Sequence, residues 1–303
     1  MDHPLLPAAL AVVMIGCFPA PQRTDRPEVE RDPWQERSVR SEASCQTYRY
    51  LYAPGPGEDS PAMLLLPGGI YDNRIWLYCD SLAEHFSLYA LDWPDNSLFY
   101  TGHASDLGAV AHDFIDALGI EKLTVVGVSM GTYAAVDLVA ERKGLEVNAL
   151  VLISSVMFAL TDEEIEKRTA MSERALSFSP ETLRSIVEWR AERAEYGPAP
   201  GEIRQLDIFH TRPYPYYHQV FGIGANQGDR PQRTERIECP VLFLHGTEDE
   251  TYPVEVARKN PTVFPSATRT EWAEIEGGRH SMVFARGPEV AAAIEEFLER
   301  RGL

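Results

Sequence analysis

One serine in this chain of 303 residues lies in a pattern that could perform nucleophilic chemistry. Ser129 is the centre of the pentapeptide Gly127-Val-Ser-Met-Gly131. A serine hydroxyl is a weak nucleophile near neutral pH, so it needs a base, usually a histidine that a carboxylate holds in one tautomer. The two glycines leave room for a sharp, strained turn that would lift the hydroxyl clear of the backbone. The alternative is a glycine-rich turn that contains an incidental serine.

The segments on either side of Ser129 favour the catalytic interpretation. Residues 123–126 are a β-branched, apolar run typical of a buried strand in a parallel sheet, and residues 134–140 have a helical pattern. A serine at this junction lies at the positive end of a helix, where a developing oxyanion is stabilised. A strand, the G-x-S-x-G sequence and a helix together form the context that a nucleophile elbow requires.

This stretch, together with the loops described below, resembles the α/β-hydrolase superfamily, in particular its capped serine hydrolases of the AB hydrolase-1 type. The resemblance covers the chain from about Tyr48 to the C-terminus. It implies an α/β fold in which a mostly parallel sheet is flanked by helices and carries an inserted helical cap. It also implies that the acid follows the nucleophile along the chain and that the histidine comes last.

Two residues match the acid and the base of this family. Asp249 ends the run Leu-His-Gly-Thr-Glu-Asp after an apolar strand, which is similar to the family's strand-G-x-x-D signature. Glu248 and Glu250 offer the same chemistry, but the spacing from the glycine favours Asp249. His280 follows the last predicted strand, and the other seven histidines all precede the acid. We therefore expect His280 to take the proton of Ser129 and Asp249 to stabilise the imidazolium.

Two backbone N–H groups are candidates for an oxyanion hole. One belongs to Met130, directly after the nucleophile. The resemblance places the other in the loop Pro67-Gly-Gly69, which commonly reads His-Gly-x in the family. We assign this donor to Gly69, with Ile70 as the near alternative. Proline replaces the usual histidine, but both glycines that let the backbone approach a substrate are present, and a plain turn is the other interpretation.

The remaining segments alternate between strands and helices, which predicts a parallel sheet with right-handed crossovers. The predicted strands lie at 46–52 (an edge strand), 62–66, 87–92, 149–155, 241–245 and 267–275, and the predicted helices at 74–85, 104–118 and 288–300. Residues 45–155 and 239–303 would form the hydrolase core. Between them, residues 156–238 contain charged helix-forming stretches without a strong strand, and the resemblance implies that they form the helical cap.

The first 44 residues predict targeting and tethering segments. Residues 5–16 are an apolar run that is too short to span a bilayer but has the length of a signal-peptide core, so we expect a signal peptide over 1–17. Its end, Met14-Ile-Gly-Cys17, resembles a bacterial lipobox, although no Lys or Arg precedes the apolar run. We therefore expect an exported protein with Cys17 as its lipid anchor, or otherwise a cytoplasmic one. Residues 18–44 predict a flexible linker.

Composition and spacing argue against several kinds of partner. A formal net charge of −18 argues against nucleic acid or an anionic membrane surface, so a lipid anchor would be the one contact with a membrane. The chain has no phosphate-binding loop or metal-ligand spacing, so we expect no cofactor and no metal. Cys45, Cys79 and Cys239 could form one disulfide in an exported protein, but their spacing does not select a pair. The oligomeric state is left open.

The leading functional hypothesis is a carboxylesterase-like serine hydrolase that acts on an ester, amide or thioester bond of a small apolar substrate. The enzymatic alternatives with the same triad are a cofactor-free carbon–carbon hydrolase, a haloperoxidase-like perhydrolase, an iminopeptidase and an acyltransferase. An alternative of another class is a non-catalytic binding protein of the same fold. The sequence does not select the substrate.

Overall fold

The computed structural model describes residues 32–69, 71–94, 104–141, 144–157 and 233–303, together with residues 179 and 182. The predicted signal peptide, Cys17 and nearly all of the predicted cap lie outside these described residues. Within them, no helix has the length and apolar character needed to cross a membrane.

One sheet forms the centre of the molecule. Its strands are β1 (Gln35–Arg40), β2 (Thr47–Ala53), β3 (Ala62–Leu66), β4 (Ser87–Leu91), β5 (Lys122–Val128), β6 (Glu146–Ile153), β7 (Val241–Gly246) and β8 (Thr270–Ile275). Their spatial order is β1-β2-β4-β3-β5-β6-β7-β8. β2 pairs antiparallel with β1 and with β4, and every other pair is parallel. The prediction of an α/β fold with a mostly parallel sheet is therefore confirmed.

Helices cover the sheet, which explains why its central strands are apolar on both faces. The α-helices of the described residues are α1 (Ala104–Leu118), α2 (Met130–Glu141), α3 (Val254–Ala257), α4 (Met282–Ala285) and α5 (Gly287–Glu299). The apolar side of α1 faces the core, with Leu107, Val110 and Phe114 fully buried and Leu118 partly so, as its helical periodicity predicts. α5 buries Val290 and Phe297 in the same way.

The linker prediction over 18–44 is wrong for its last part. Residues Gln35–Arg40 form β1, and Trp34 before them is buried and donates its indole N–H to the Leu77 carbonyl over 3.1 Å. β1 therefore forms the edge of the sheet, and β2, which the sequence placed at the edge, lies inside it. The side chains of β1 are exposed on both faces apart from the half-buried Val39, so the strand has no apolar alternation to reveal it.

The prediction of one continuous helix over 74–85 is also wrong. The chain forms two short 3₁₀ helices there, Asn73–Trp76 and Asp80–Glu84. Asp72 accepts the backbone N–H of Arg74 over 2.9 Å and pairs with its guanidinium, which fixes a tight turn at the start. All four residues of the first helix are buried, so the segment has no solvent-facing side of the kind that a surface α-helix presents.

Asp113 ties the connection between β1 and β2 to α1. Its carboxylate accepts hydrogen bonds from the hydroxyl groups of Ser41, Ser44 and Tyr48, the last over 2.6 Å. Burial and the nearby carboxylate raise the pKa of the Tyr48 phenol, which therefore stays protonated. The three remaining cysteines, Cys45, Cys79 and Cys239, are free thiols, so they form no disulfide.

Candidate active site

Ser129 lies in a sharp turn between the end of β5 and the start of α2. Its φ angle is +51°, a left-handed conformation that is uncommon for any residue other than glycine. The backbone N–H of Ser129 donates to the Ile153 carbonyl of β6 over 2.9 Å, and its carbonyl accepts from the N–H of Thr132 over 3.0 Å. The prediction of a strained turn between a strand and a helix is confirmed.

The two glycines of the elbow allow close backbone packing. A Cβ atom at Gly127 would lie 2.5 Å from the carbonyl oxygen of Gly131, and one at Gly131 would lie 2.7 Å from the carbonyl oxygen of Pro67 and closer still to that of Leu66. Any side chain at position 131 would therefore push α2 away from the loop that follows β3. The Trp93 indole N–H donates to the Pro67 carbonyl over 3.0 Å, which further fixes the position of this loop.

The structure brings His280 and Asp249 to Ser129. His280 Nε2 lies 3.0 Å from Ser129 Oγ, and His280 Nδ1 lies 3.0 and 3.1 Å from the two carboxylate oxygens of Asp249. An ionised carboxylate can only accept hydrogen bonds, so Nδ1 carries the proton. In the neutral imidazole Nε2 is then an acceptor, and it faces the serine hydroxyl. The three side chains that the sequence selected therefore form one continuous hydrogen-bonded row.

The surroundings of Asp249 keep its carboxylate ionised. Burial raises the pKa of this carboxyl, but His280 and the hydrogen bonds to the carboxylate outweigh burial and hold the pKa below its usual value. Two of these hydrogen bonds come from the backbone N–H groups of Thr251 and Tyr252, each 2.8 Å from Oδ1. The oxygen atoms are thus fixed in position as well as charged.

The loops that carry the acid and the base are joined through their backbones. The backbone N–H of Glu248 donates to the Gly278 carbonyl over 2.9 Å, and that of Thr247 donates to the Ile275 carbonyl over 3.1 Å. A Cβ atom at Gly246 would overlap the backbone of Gly278, so a glycine is needed where the two loops meet. This contact explains why the acid motif contains Gly246 and why Gly278 precedes the base.

The predicted oxyanion donors lie beside Ser129. Met130 is the first residue of α2, and a Cβ atom at Gly68 would lie 3.4 Å from the Cβ atom of Ser129. The loop that contains Gly69 is therefore a neighbour of the nucleophile. Ile70, the alternative donor, lies outside the described residues. The roles of Gly69 and Met130 remain predictions.

A second histidine, to which the sequence reasoning gave no role, lies next to the acid. His245 is fully buried at the end of β7, its Nε2–H donates to the Tyr252 carbonyl over 2.8 Å, and it lies 3.5 Å from Asp249 Oδ2. Its ring stacks on Trp272 with centroids 5.6 Å apart. Burial lowers the pKa of His245, which favours the neutral ring. The spacing of four residues between His245 and Asp249 was the signal that could have revealed it.

No group of three or more His, Cys, Asp or Glu side chains within the described part of the chain is arranged to hold a metal ion. The proton transfers that the row of Ser129, His280 and Asp249 can perform require none.

Comparison with known proteins places this site in a family. The model of the alpha/beta hydrolase family matches residues 63–293, which include Ser129, Asp249 and His280. The chain belongs to the alpha/beta hydrolase family. This α/β hydrolase is 24% identical over 175 residues to the AB hydrolase superfamily protein YisY of Bacillus subtilis (strain 168). The match covers 55% of this chain and 63% of that protein, so it spans less than two thirds of the relative's length.

Solved structures show the same fold. A thermophilic esterase from Thermogutta terrifontis superposes on this α/β hydrolase with a TM-score of 0.68 and 20% identity, covering 88% of this chain and 98% of the esterase. A bromoperoxidase from Bacillus anthracis gives a TM-score of 0.66 with 17% identity, and the match covers 88% of this chain and 100% of the bromoperoxidase. At these identities the likeness establishes the architecture and leaves the reaction to be argued from the site.

Proposed function

We propose that this α/β hydrolase is a serine hydrolase that cleaves an ester bond, or a related amide or thioester bond, in a small apolar substrate. The observation that carries the proposal is the row from Ser129 Oγ to His280 Nε2, 3.0 Å, and from His280 Nδ1 to Asp249, 3.0 Å. These distances are those of hydrogen bonds, which a nucleophile and its base must form.

The geometry suits acyl transfer to water. His280 Nε2 takes the proton of Ser129 as Oγ attacks the substrate carbonyl, and the imidazolium that results lies against the Asp249 carboxylate. It then gives the proton to the departing alcohol, which leaves an acyl group on Oγ. In the second half a water molecule gives a proton to His280 and attacks the acyl carbonyl. The bond from the acyl carbon to Ser129 Oγ then breaks, Oγ takes the proton back from His280, and the carboxylic acid departs.

Two features support stabilisation of the tetrahedral oxyanion. Ser129 precedes α2, so the N–H of Met130 and the positive end of the helix dipole are close to the developing charge. The loop with Gly69 is also a neighbour of the serine, because a Cβ atom at Gly68 would lie 3.4 Å from the Ser129 Cβ atom. We assign these two N–H groups as the oxyanion donors, since the charge that develops on the carbonyl oxygen is stabilised by fixed donors that are directed at it.

Aromatic side chains beside His280 support an uncharged substrate. The Tyr252 ring centroid lies 5.6 Å from that of His280, and the Tyr252 hydroxyl lies 3.2 Å from the Tyr133 hydroxyl. Aromatic rings with a polar tip suit an apolar group that carries one polar bond. We therefore place a simple carboxylic ester first among the candidate substrates.

Hydrolysis of p-nitrophenyl esters from acetate to palmitate by the full chain tests the proposal. We expect release of p-nitrophenol by the wild type and loss of this activity in both Ser129→Ala and His280→Ala. His85→Ala is the matched control, because His85 is exposed and distant in sequence from every proposed catalytic residue. Equal rates in the wild type and Ser129→Ala would contradict the proposal, and the preferred chain length would measure the size of the acyl site.

We also propose, on the lipobox-like sequence alone, that the protein is exported and anchored through Cys17. Incorporation of a labelled fatty acid that is abolished by Cys17→Ala would support this, and an unlabelled protein in the cytoplasmic fraction would contradict it.

A further inference from the structure

Tyr71 follows the loop that contains the predicted oxyanion donor and packs directly on it. The Tyr71 side chain is buried, with 3% of its surface exposed. A Cβ atom at Gly68 would lie 2.8 Å from Cδ2 and 3.1 Å from Cε2 of the Tyr71 ring. The ring therefore fills the space beside Gly68, and the loop cannot shift toward it.

The other end of Tyr71 reaches the loop that carries the base. A hydrogen bond joins the Tyr71 hydroxyl to the hydroxyl of Ser281, which is fully buried and directly follows His280. The two residues lie 210 positions apart in the sequence. One side chain thus links the backbone next to Gly69 with the residue next to His280.

We propose that Tyr71 is a positioning residue that fixes two parts of the site relative to each other. One is the loop Pro67-Gly-Gly69, here called the oxyanion loop, and the other is the catalytic base His280. Its ring fixes the position of the loop at Gly68. Its hydroxyl holds Ser281, the residue between His280 and α4, and so fixes the position of His280. This inference rests on the proposed function, since it concerns how the same site is held in its reactive geometry.

The neighbouring contacts explain why such a link matters. The Trp93 indole holds the Pro67 carbonyl, and Glu248 holds the Gly278 carbonyl, so each of these hydrogen bonds fixes only one of the two loops. The bond between Tyr71 and Ser281 crosses from one loop to the other. Since a misplacement of about 1 Å can lower a rate on the order of 100-fold, a small relative shift of donor and base would be costly.

The competing interpretation is that Ser281 merely satisfies a buried tyrosine hydroxyl. Removing either hydroxyl would then lower the stability of the fold and leave the chemistry unchanged. Tyr71→Phe separates the two interpretations, because it keeps the ring against Gly68 and removes only the hydroxyl. Ser281→Ala removes the same bond from the other side.

The test measures kcat and KM for the best p-nitrophenyl ester with the full chain. We expect Tyr71→Phe and Ser281→Ala each to lower kcat about ten-fold with KM little changed, because the bond acts on the reacting groups rather than on substrate affinity. The double variant should be no slower than either single variant, since both remove one shared interaction. Tyr48→Phe is the matched control: it removes another buried tyrosine hydroxyl, bonded to Asp113 on α1, and should leave kcat unchanged.

Wild-type kcat in Tyr71→Phe would overturn the inference, as would a double variant in which the two losses multiply. If Tyr71→Phe fails to fold, Ser281→Ala alone decides: a ten-fold loss of kcat in a protein with an unchanged thermal midpoint supports the link, and an unchanged kcat overturns it. An active Ser129→Ala would instead refute the proposed function. Activity that is lost in Ser129→Ala but retained in Tyr71→Phe would refute only the role of Tyr71.

Discussion

Replacing Gly131 by alanine tests the close contact between α2 and the oxyanion loop. The added Cβ atom would lie 2.7 Å from the Pro67 carbonyl oxygen, whereas an ordinary contact is 3.4 Å or longer. The backbone of either α2 or the loop must therefore retreat by about 0.7 Å to clear the Pro67 carbonyl oxygen, and by more to clear that of Leu66, which would lie closer still. No flexible side chain can absorb the change, since the three nearest atoms to the new methyl group all belong to the backbone of Leu66 and Pro67.

Two opposing terms set the effect on stability. Alanine is a better helix former than glycine by about 1 kcal/mol, so the substitution would stabilise an isolated helix. Overpacking of a filled interior costs about 1–3 kcal/mol. We expect the cost of the steric overlap to exceed the gain in helix propensity, so that the free energy of unfolding falls by about 1–2 kcal/mol.

The effect on catalysis should be larger than this loss of stability suggests. A retreat of the loop by about 1 Å would move the Gly69 N–H, the donor we propose, away from the oxyanion, and a misplacement of this size can cost on the order of 100-fold. We therefore expect kcat to fall about 10- to 100-fold with KM changed much less. Ester hydrolysis and urea unfolding, measured on the same preparations, give both quantities.

Gly57→Ala is the matched control, because nothing lies within 4 Å of a Cβ atom at Gly57. It should change the free energy of unfolding by less than about 0.5 kcal/mol and leave kcat unchanged. A Gly131→Ala variant with the stability and the kcat of the wild type would contradict both expectations. It would mean that the packing of α2 on the oxyanion loop does not constrain the site.

Three further predictions follow from buried polar groups. Asp249→Asn should lower kcat on the order of 10⁴-fold in the ester assay, because an amide can donate to His280 Nδ1 and stabilise the wrong tautomer. Asp113→Asn should lower the free energy of unfolding by about 1–3 kcal/mol in urea, because the amide removes the charge and leaves one acceptor oxygen where two oxygens accept from three hydroxyl groups. His245→Gln should lose less free energy of unfolding than the wild type as the pH falls. Unfolding in urea at several pH values measures this difference. Since burial lowers the pKa of His245, its contribution is complete above the unfolded value of about 6.5 and is lost as the pH falls below it.

Each of these has a result that contradicts it. Near-wild-type kcat in Asp249→Asn would show that this carboxylate does not orient the base. An unchanged midpoint in Asp113→Asn would show that its three hydroxyl partners find water instead. Parallel pH profiles of the wild type and His245→Gln would show that this histidine does not take up a proton on unfolding in that range.

Local sequence signals were sufficient where the chain is locally consistent. The apolar β5 strand, the two glycines around Ser129 and the helical pattern of α2 each favour the same turn, and the structure has it. The order of acid and base along the chain likewise selected Asp249 and His280, which the structure brings to the serine. Periodicity also gave α1 its observed bounds, Ala104–Leu118.

The errors arose where tertiary contacts override local pattern. β1 has polar side chains on both faces and owes its conformation to backbone pairing with β2, which composition cannot reveal. The segment Asn73–Trp76 is buried on every side and forms a short 3₁₀ helix, where the sequence predicted one longer helix over 74–85. Tyr71 was missed because its partner is set by the fold: Ser281 is 210 residues away. His245 lies only four residues from Asp249, but the sequence does not show that its ring is buried and stacks on Trp272.

The most direct test of the central claim is covalent labelling of the full chain by a fluorophosphonate, followed by mass spectrometry of the intact protein and its peptides. We predict one adduct, located on Ser129, which is absent in Ser129→Ala and forms much more slowly in His280→Ala because the base is missing. A wild-type protein that stays unlabelled, or that carries its label on another residue, would contradict the assignment of Ser129 as an activated nucleophile.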